Sequence, residues 1–286
     1  MVTSLVFTMD KDNDTYFLPR SRVTYFKDKK SRLFFEEMFI MFPQIIPKLE
    51  KCFKEGGGIP YSSYSGFHRI MNEMATEWHN NNMLQKVIPS IKGLHEKLQS
   101  GITCLDIGCG MGTPSLILGE AYPNSKQYGF DFSEDVIDHA SKKAEAEGLH
   151  NTHFIVKDCA IFDPAYEEKF DFISAHDAIH DQAKPAIVLK NIYRMLKKGG
   201  VFSMIDIDSH SHPADNIETP KATLKYTFSM LHCMPVSLYF EGGAGLGACW
   251  GKELAAKMLQ DAGFDDVEFI NLEWDAFKML FLTRKY

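Results

Sequence analysis

The chain has 286 residues, 45% of them hydrophobic and 24% charged, proportions that are ordinary for a folded globular protein and exclude wholesale disorder. The 31 basic and 38 acidic residues leave a net charge of −7, which disfavours nucleic acid as a partner because phosphates would be repelled. The start lacks a basic signal region, and no stretch approaches the roughly 18 apolar residues of a membrane span. Six cysteines without paired spacing indicate reduced thiols, so we expect a cytoplasmic protein with no membrane partner.

The pattern is helical up to about Leu98. Apolar residues recur three and four positions apart in three groups, 33–42, 45–53 and 67–78. The first group is apolar almost all round, so we expect it to be buried. We further expect a homodimer contact through this helix, made by Leu33, Phe39 and Phe42.

Short apolar runs alternate with helical stretches from Ile102 onward, a pattern typical of βα units and a parallel sheet. The predicted strands are 102–107, 126–131, 152–157, 170–175, 200–207, 266–272 and 276–283. The predicted helices are 113–121, 133–147, 185–197, 216–232 and 251–262. The last two strands follow each other closely and must form an antiparallel hairpin. We therefore divide the chain into a helical region, 1–98, and an α/β domain, 99–286.

The strongest motif is the segment 105–112, Leu-Asp-Ile-Gly-Cys-Gly-Met-Gly, between the first predicted strand and a helix. Glycines let a ligand approach the backbone, and the helix offers free amide groups, although a plain turn would also explain them. Asp131 ends the next strand about twenty residues on, where a carboxylate can accept both hydroxyls of an adenosine ribose. Dinucleotide sites and S-adenosylmethionine sites share this spacing.

Two details separate these cofactors. A nicotinamide site prefers glycine or alanine where this chain has Thr113, and it has no use for Asp106 at the strand end. A cofactor with a free ammonium group does use such a carboxylate. A nicotinamide oxidoreductase is therefore the disfavoured alternative.

From Ile102 to Tyr286 the sequence resembles the class I S-adenosylmethionine-dependent methyltransferases. The resemblance lies in five pieces in order, which are 105–112, 129–133, 156–158, 170–173 and 196–200. It implies a Rossmann-like α/β fold with a seven-stranded, mostly parallel sheet and a reversed last strand. It also implies S-adenosyl-L-methionine as the cofactor.

The same resemblance assigns roles to residues of this chain. Gly108 and Gly110 would pass under the methionine part, Asp131 would hold the ribose, and Asp158 would bond the adenine amino group. Phe132 and Cys159 would lie beside the adenine ring. Cys109, His176 and Asp106 complete the predicted cofactor site. Asp158 has an alternative interpretation as a strand-end cap.

Methyl transfer to a hydroxyl requires alignment of the acceptor and removal of its proton. His180-Asp181 resembles the His-Asp pair of small-molecule O-methyltransferases, in which the histidine is the base. That family continues with tryptophan where this chain has Gln182. The alternative is that His180 only packs or caps the helix that begins near Pro185.

Two further segments allow more than one interpretation. Asp206, Asp208, His210 and His212 alternate along the chain and could bind a divalent metal, but solvated histidines are the favoured interpretation and no metal is expected. The glycine-rich segment 241–247 is either a mobile lid or a tight turn between helices.

Residues 12–19 have the turn-then-strand pattern of the wing in a winged helix. Small-molecule O-methyltransferases and a related methyltransferase group carry a winged-helix domain here, and that group also resembles this chain at 56–61, 180–182 and 242–247. The resemblance implies a partial winged helix before the catalytic domain. We expect methyl transfer to a small, partly apolar acceptor, at oxygen and with His180 as base. The alternative is an inactive S-adenosylmethionine-binding regulatory module.

Overall fold

The computed structural model describes residues 8–10, 12–13, 15–20, 29–64, 66–219 and 221–286, and the side chains of 29–39 and 67–69 lie outside the description. Among these residues, no helix combines the length and the apolar character that a bilayer crossing needs.

Seven of the described strands form one sheet, and two form a separate hairpin. The strands are β1 (Thr8–Asp10), β2 (Thr15–Phe17), β3 (Thr103–Ile107), β4 (Lys126–Asp131), β5 (Thr152–Val156), β6 (Phe170–His176), β7 (Leu196–Ile207), β8 (Val267–Asn271) and β9 (Lys278–Arg284). β3 to β9 confirm the seven predicted strands. β7 begins earlier than predicted because Leu196 already pairs with Phe170, ahead of a shift in register.

The order across the sheet is β5-β4-β3-β6-β7-β9-β8. Every neighbouring pair is parallel except those made by β9, which runs antiparallel to both β7 and β8. This confirms the hairpin and the reversed last strand. The reversed strand lies inside the sheet, between β7 and the edge strand β8, rather than at the edge itself.

The longer helices follow the predicted pattern with one exception. They are α1 (Lys29–Glu55), α2 (Phe67–Asn82), α3 (Leu94–Ser100), α4 (Thr113–Ala121), α5 (Glu134–Ala146), α6 (Pro185–Met195), α7 (Ala222–Phe228), α8 (Met234–Tyr239) and α9 (Lys252–Ala262). The exception is the helix predicted over 216–232. It begins only after Lys221, whose φ is +60°, and it continues to Tyr239 through a wide turn at Ser229–Cys233 that precedes Pro235.

Helices cover both faces of the sheet, which buries the strands from both sides. On one face Leu105 and Phe130 pack with Val188 of α6 and Leu259 of α9. On the other face, the strand residues pack against α3, α4 and the turns before them. These contacts join Cys104 and Phe172 to Ile88, Leu98 and Leu118. The last residues of the helical region therefore pack directly on the sheet.

A third core joins the N-terminal helices to the segment around the wide turn. Met41, Ile45 and Ile70 pack with Leu231 and Val236. This core also bears on the expected burial of α1. Phe42 packs inside this chain, with its ring 5.6 Å from that of Phe228, whereas Ile40 is 67% exposed.

Within the single chain Ile40 is exposed, so burial of the first apolar group all round would need a second subunit, and this expectation stays a prediction. One face of the helix packs on its own chain, and a helix that lies on a core buries only that face. Leu33 and Phe39 lie among the side chains outside the description. The dimer contact stays a prediction.

β1 and β2 pair as an antiparallel hairpin, with Thr8 opposite Phe17. The turn-then-strand pattern of residues 12–19 is thus part of a hairpin, and the partial winged helix built around it stays a prediction.

The glycine-rich segment after α8 packs against the preceding helix. A Cβ on Gly243 would lie 2.0 Å from the carbonyl oxygen of Ser237, and one on Gly247 would lie 2.4 Å from Met234. The N–H groups of Ala244 and Gly245 donate to the Ala183 carbonyl and the Ser237 hydroxyl. These contacts favour the tight-turn interpretation over the lid.

Candidate active site

The carboxyl ends of β3, β4 and β6 meet at one edge of the sheet. Ile107 of β3 pairs with Phe130 of β4 on one side and with Ala175 of β6 on the other. The chain leaves β3 toward β4 and later returns on the opposite side to β6. In open α/β sheets, ligands bind in the crevice at such a reversal of strand order. The loops that follow these strands carry most of the predicted site residues.

The loop after β3 needs its glycines for two different reasons. Gly108, Gly110 and Gly112 have φ of +65°, +51° and +77°, which side chains rarely adopt. A Cβ on Gly112 would lie 2.3 Å from the Phe154 ring, and one on Gly108 would lie 2.7 Å from the Ala178 Cβ. A Cβ on Gly110 would meet no described atom within 4 Å. Gly108 and Gly112 thus permit packing, whereas Gly110 leaves space in which a ligand can reach the backbone.

Asp131, at the end of β4, fixes the glycine loop. Its Oδ2 accepts the N–H of Gly110 at 3.0 Å, and its Oδ1 accepts the N–H of Ser133 at 3.0 Å. Each carboxylate oxygen has a second lone pair that can accept a hydroxyl. The predicted contact with ribose remains a prediction, and the structure adds a role in shaping the loop.

Asp106 is the buried carboxyl group below this loop. It is 4% exposed, and its Oδ1 accepts the hydroxyl of Ser174 at 3.1 Å. Burial raises the pKa of Asp106 to about 7, because the charged form loses its hydration. A nearby cation would shift this group to its ionised form.

The residues predicted for the adenine end occupy the loop after β5 and the end of β4. Asp158 is exposed, and its Oδ1 accepts the N–H of Ala160 at 2.8 Å, so it does cap the strand end. Cys159 is buried, and burial raises its pKa to about 12. Phe132 is 51% exposed, and its ring lies 6.2 Å from that of Tyr61. The structure places these three side chains on neighbouring loops at the same edge.

Cys109 belongs to the glycine loop itself. Its Sγ would be 2.8 Å from a Cβ on Gly129, so Gly129 makes room for it. Burial raises the pKa of Cys109 well above its ordinary value. The thiol is therefore neutral and serves packing rather than nucleophilic chemistry.

His176 ends β6 and faces a histidine of α2. Its Nδ1 lies 3.2 Å from Nε2 of His79. Burial lowers the pKa of His176 to about 4, so the ring is neutral at physiological pH. Its Nε2 has no hydrogen-bond partner within the described part of the chain. A neutral imidazole with a spare nitrogen can bond a polar group of a ligand.

His180 lies between two carboxylates. Its Nδ1 is 2.7 Å from Oδ1 of Asp206, at the end of β7, and its Nε2 is 3.3 Å from Oδ1 of Asp181. His180 is 3% exposed and Asp206 is fully buried. Burial alone would lower the pKa of His180, but the two carboxylates hold it well above its ordinary value. The role of His180 as base stays a prediction, as does the alternative that it only packs or caps a helix.

Two residues beside this pair are not among the predicted site residues. Tyr61 donates its hydroxyl to Oδ2 of Asp181 at 3.1 Å. Cys233, in the wide turn, brings its Sγ near His180 and Asp181, with the ligand atoms of all three within 4.8 Å of one another. Tyr61 lies in one of the pieces that carry the resemblance, which is a usable signal. Nothing in the local sequence marks Cys233.

The structure does not bring together the four alternating residues considered as metal ligands. Asp206 is engaged by His180, whereas Nδ1 of His210 is 2.7 Å from Glu253 and Nδ1 of His212 accepts the N–H of Ala214. Asp206, His210 and His212 thus each have a local partner of their own.

S-adenosylmethionine has an amino-acid end that carries an ammonium group and a nucleoside end, and the edge of the sheet suits both. Gly110 leaves open space along the backbone, and Asp106 is a buried carboxyl that a positive charge would ionise. Asp131 ends β4 and Asp158 follows the neighbouring strand β5, so their carboxylates offer acceptors for neutral hydroxyl and amino groups. The residues present therefore fit this cofactor.

Comparison with known proteins points the same way. A family model described as Methyltransferase domain matches residues 98–263. A demethylmenaquinone methyltransferase from Geobacillus stearothermophilus is 28% identical over 186 residues, which are 60% of this chain and 74% of the relative.

Two solved structures share the fold. A candidate O-methyltransferase from Nostoc punctiforme superposes with a TM-score of 0.71 at 18% identity and covers 99% of this chain and 81% of its own. Human N-acetylserotonin methyltransferase, solved with S-adenosylmethionine, superposes with a TM-score of 0.61 at 19% identity. The match covers 88% of this chain and 69% of the human protein's chain.

Proposed function

Because this chain belongs to the methyltransferase-domain family and is an S-adenosylmethionine-dependent enzyme, we propose that it methylates an oxygen atom of a small, partly apolar acceptor. His180 is the base in this proposal. The observation that carries it is the buried pair of His180 and Asp206, 2.7 Å apart, at the edge where the glycine loop lies.

The position of His180 follows from the packing of the glycine loop. Gly108 lies against Ala178, so close that a Cβ on the glycine would be 2.7 Å from the alanine methyl group. Ala178 precedes His180 by two residues. The segment that carries the histidine is therefore fixed against the loop that would pass under the methionine part of the cofactor.

The arrangement around His180 suits a base. Asp206 accepts from Nδ1, which leaves Nε2 as the nitrogen that takes a proton from the acceptor. The buried Asp206 carboxylate also stabilises the imidazolium that forms. Since both carboxylates raise the pKa of His180, the ring must first release the proton that it holds at neutral pH. Turnover should therefore increase with pH.

The cofactor supplies an activated methyl group, and the chain orients it. Asp106 would balance the ammonium group, Asp131 would hold the ribose, and Asp158, Phe132 and Cys159 would surround the adenine. Gly108 and Gly110 would lie under the methionine part, and Cys109 and His176 would complete the cofactor site. In-line displacement then needs only the correct approach of the acceptor oxygen.

The surroundings of His180 support this class of acceptor. The rings of Tyr61 and His232 are 5.4 Å apart, and Tyr64 stacks edge-on against His232 at 4.8 Å. Aromatic side chains together with a few polar groups are typical of sites for small, partly apolar molecules. The structural neighbour that is named as an N-acetylserotonin methyltransferase supports an acceptor of this size.

The direct test is transfer of label from methyl-labelled S-adenosylmethionine to fractionated metabolite extracts. The expected result is a labelled product whose methyl group is released by ether cleavage. Label on nitrogen, sulfur or carbon would contradict the assignment to oxygen.

Once the acceptor is found, His180→Gln tests the base. Turnover should fall by about 10²–10⁴, the usual contribution of a positioned base, while cofactor affinity stays nearly unchanged. His139→Gln, at an exposed position of α5, is the matched control. Full turnover in His180→Gln would show that positioning alone suffices.

A further inference from the structure

We propose that His180, Asp181 and Cys233 form a binding site for one Zn²⁺ ion, whose occupation stops methyl transfer. The inhibition rests on the proposed function of His180, whereas the metal site stands on its own geometry. Within the part of the chain that the structure describes, this is the one group of three metal-ligating side chains whose ligand atoms converge, all within 4.8 Å.

The donor set selects the metal. An imidazole nitrogen, a carboxylate oxygen and a thiolate are ligands that zinc accepts in tetrahedral sites, with one position left for water. Thiolate and imidazole favour zinc over magnesium and calcium, which take oxygen ligands. His180 and Cys233 are buried and Asp181 is half-buried, so few water molecules compete for the ion.

The distances suit a tetrahedral ion. Zinc bonds of about 2.0–2.2 Å to nitrogen and oxygen place two such ligands about 3.3 Å apart. Nε2 of His180 and Oδ1 of Asp181 are 3.3 Å apart. For sulfur at about 2.3 Å from zinc, the tetrahedral separation from nitrogen is about 3.5 Å. Since Sγ of Cys233 already lies within 4.8 Å of both atoms, its separation from them exceeds the tetrahedral value by at most about 1.3 Å.

The outer partners of the ligands are already in place. Asp206 accepts from Nδ1 of His180, which directs the lone pair of Nε2 toward the proposed ion. Tyr61 donates to Oδ2 of Asp181 and leaves Oδ1 available. Ligands whose second atoms are held in this way are typical of metal sites, because they arrive oriented.

Binding would displace the proton of His180 and the thiol proton of Cys233 to solvent. The lone pair of Nε2 would then be shared with the metal and could no longer accept a proton from the acceptor hydroxyl. Methyl transfer should stop while the ion is bound and resume after chelation.

The experiment uses the full chain, freed of metal, with Co²⁺ as a spectroscopic probe and Zn²⁺ as the competitor. We expect one Zn²⁺ per chain, a sulfur-to-cobalt charge-transfer band that Zn²⁺ removes, and no binding of Mg²⁺. The Cys233→Ser protein should lose the band and bind Zn²⁺ at least tenfold more weakly. Cys52→Ser, which removes a thiol in the N-terminal core, should keep both.

These measurements need no acceptor, so they succeed or fail independently of the proposed function. If Cys233→Ser does not fold, Asp181→Asn provides the second variant, and it should weaken Zn²⁺ while it keeps the sulfur band. Absence of the band in the unaltered protein, or an unchanged band in folded Cys233→Ser, would overturn the site. Zinc binding without inhibition, or with activation, would overturn the inference that the ion occupies the base.

Discussion

Tyr61 donates its hydroxyl to Asp181 over 3.1 Å, although 120 positions separate the two residues. Tyr61 comes from the N-terminal region, and Asp181 follows the proposed base on the loop after β6. Burial raises the pKa of Tyr61 well above its ordinary value, so the phenol stays a neutral donor. The N-terminal region therefore takes part in the proposed catalytic site through a defined hydrogen bond.

Tyr61→Phe should lower turnover by about tenfold, because a hydrogen bond to a charged group contributes about 1.5–3 kcal/mol and only part of it acts on the reaction. Without this donor Asp181 attracts a proton on His180 more strongly, so the rise of rate with pH should move to higher pH. Steady-state kinetics across pH measures both effects.

Tyr122→Phe provides the matched control for this variant. It removes a tyrosine hydroxyl that lies 2.9 Å from His95, at a position remote from the site. Loss of turnover in both variants, or no pH shift in Tyr61→Phe, would reduce Tyr61 to a packing residue.

Gly110→Ala should abolish tight cofactor binding without unfolding the protein. The added methyl group would enter the open space beside the loop, where it meets no described atom within 4 Å, at φ of +51°. The backbone strain should cost about 1–2 kcal/mol of unfolding free energy. Calorimetric titration with S-adenosylmethionine and thermal unfolding separate the two effects.

Gly148→Ala is the control for strain alone. Gly148 has φ of +69° and open space around its Cβ position, but it lies in the turn between α5 and β5. It should lose similar stability and keep its affinity for the cofactor. Equal affinity loss in both variants would mean that strain, and not ligand contact, governs binding.

Cofactor affinity should fall as pH decreases below about 7. Asp106 has a pKa of about 7 in the free protein, and a cationic ligand beside it would lower that value. Below pH 7 binding must therefore expel a proton, which costs up to about tenfold in affinity per pH unit.

Asp106→Asn should bind more weakly at pH 8 and lose this pH dependence. Because S-adenosylmethionine carries its own titrating amino group, the difference between the two proteins is the quantity to measure. Parallel pH curves for both proteins would place Asp106 away from the ammonium group.

The strands and the glycine loop could be predicted because their signals are local. Alternation of apolar runs and helical stretches depends on neighbouring residues, and Gly108 to Gly112 mark a turn by composition alone. The role of Asp131 as a candidate ribose ligand could be predicted in the same way, from its place at the end of a strand. Its bond to the Gly110 amide could not be predicted, since it depends on the register of β3 and β4.

The contacts around His180 depend on packing between distant segments. Cys233 reaches the site because a wide turn interrupts the helix predicted over 216–232, and this turn leaves no periodic signal. His79 meets His176 for a similar reason, since α2 must first pack near the end of β6. The resemblance to a family predicted His176 and His180 as site residues, but it did not predict Cys233 and His79 as their neighbours.

Asp206→Asn should move the pH dependence of turnover in the direction opposite to Tyr61→Phe. The carboxylate of Asp206 is one of two that hold a proton on His180, so its replacement by a neutral amide lowers the pKa of the histidine. The unprotonated base then forms at lower pH, and the rising limb of the rate profile should shift toward acid.

The plateau at high pH should nevertheless fall, by about tenfold or more, for two reasons. A histidine of lower pKa is a weaker base, and an amide neither fixes the Nδ1 proton as firmly nor stabilises the imidazolium. Cofactor affinity should be unchanged, because Asp206 faces His180 and the Ile207 amide. If the plateau falls but the rate still rises at the same pH, the rising limb reflects the titration of a group other than His180.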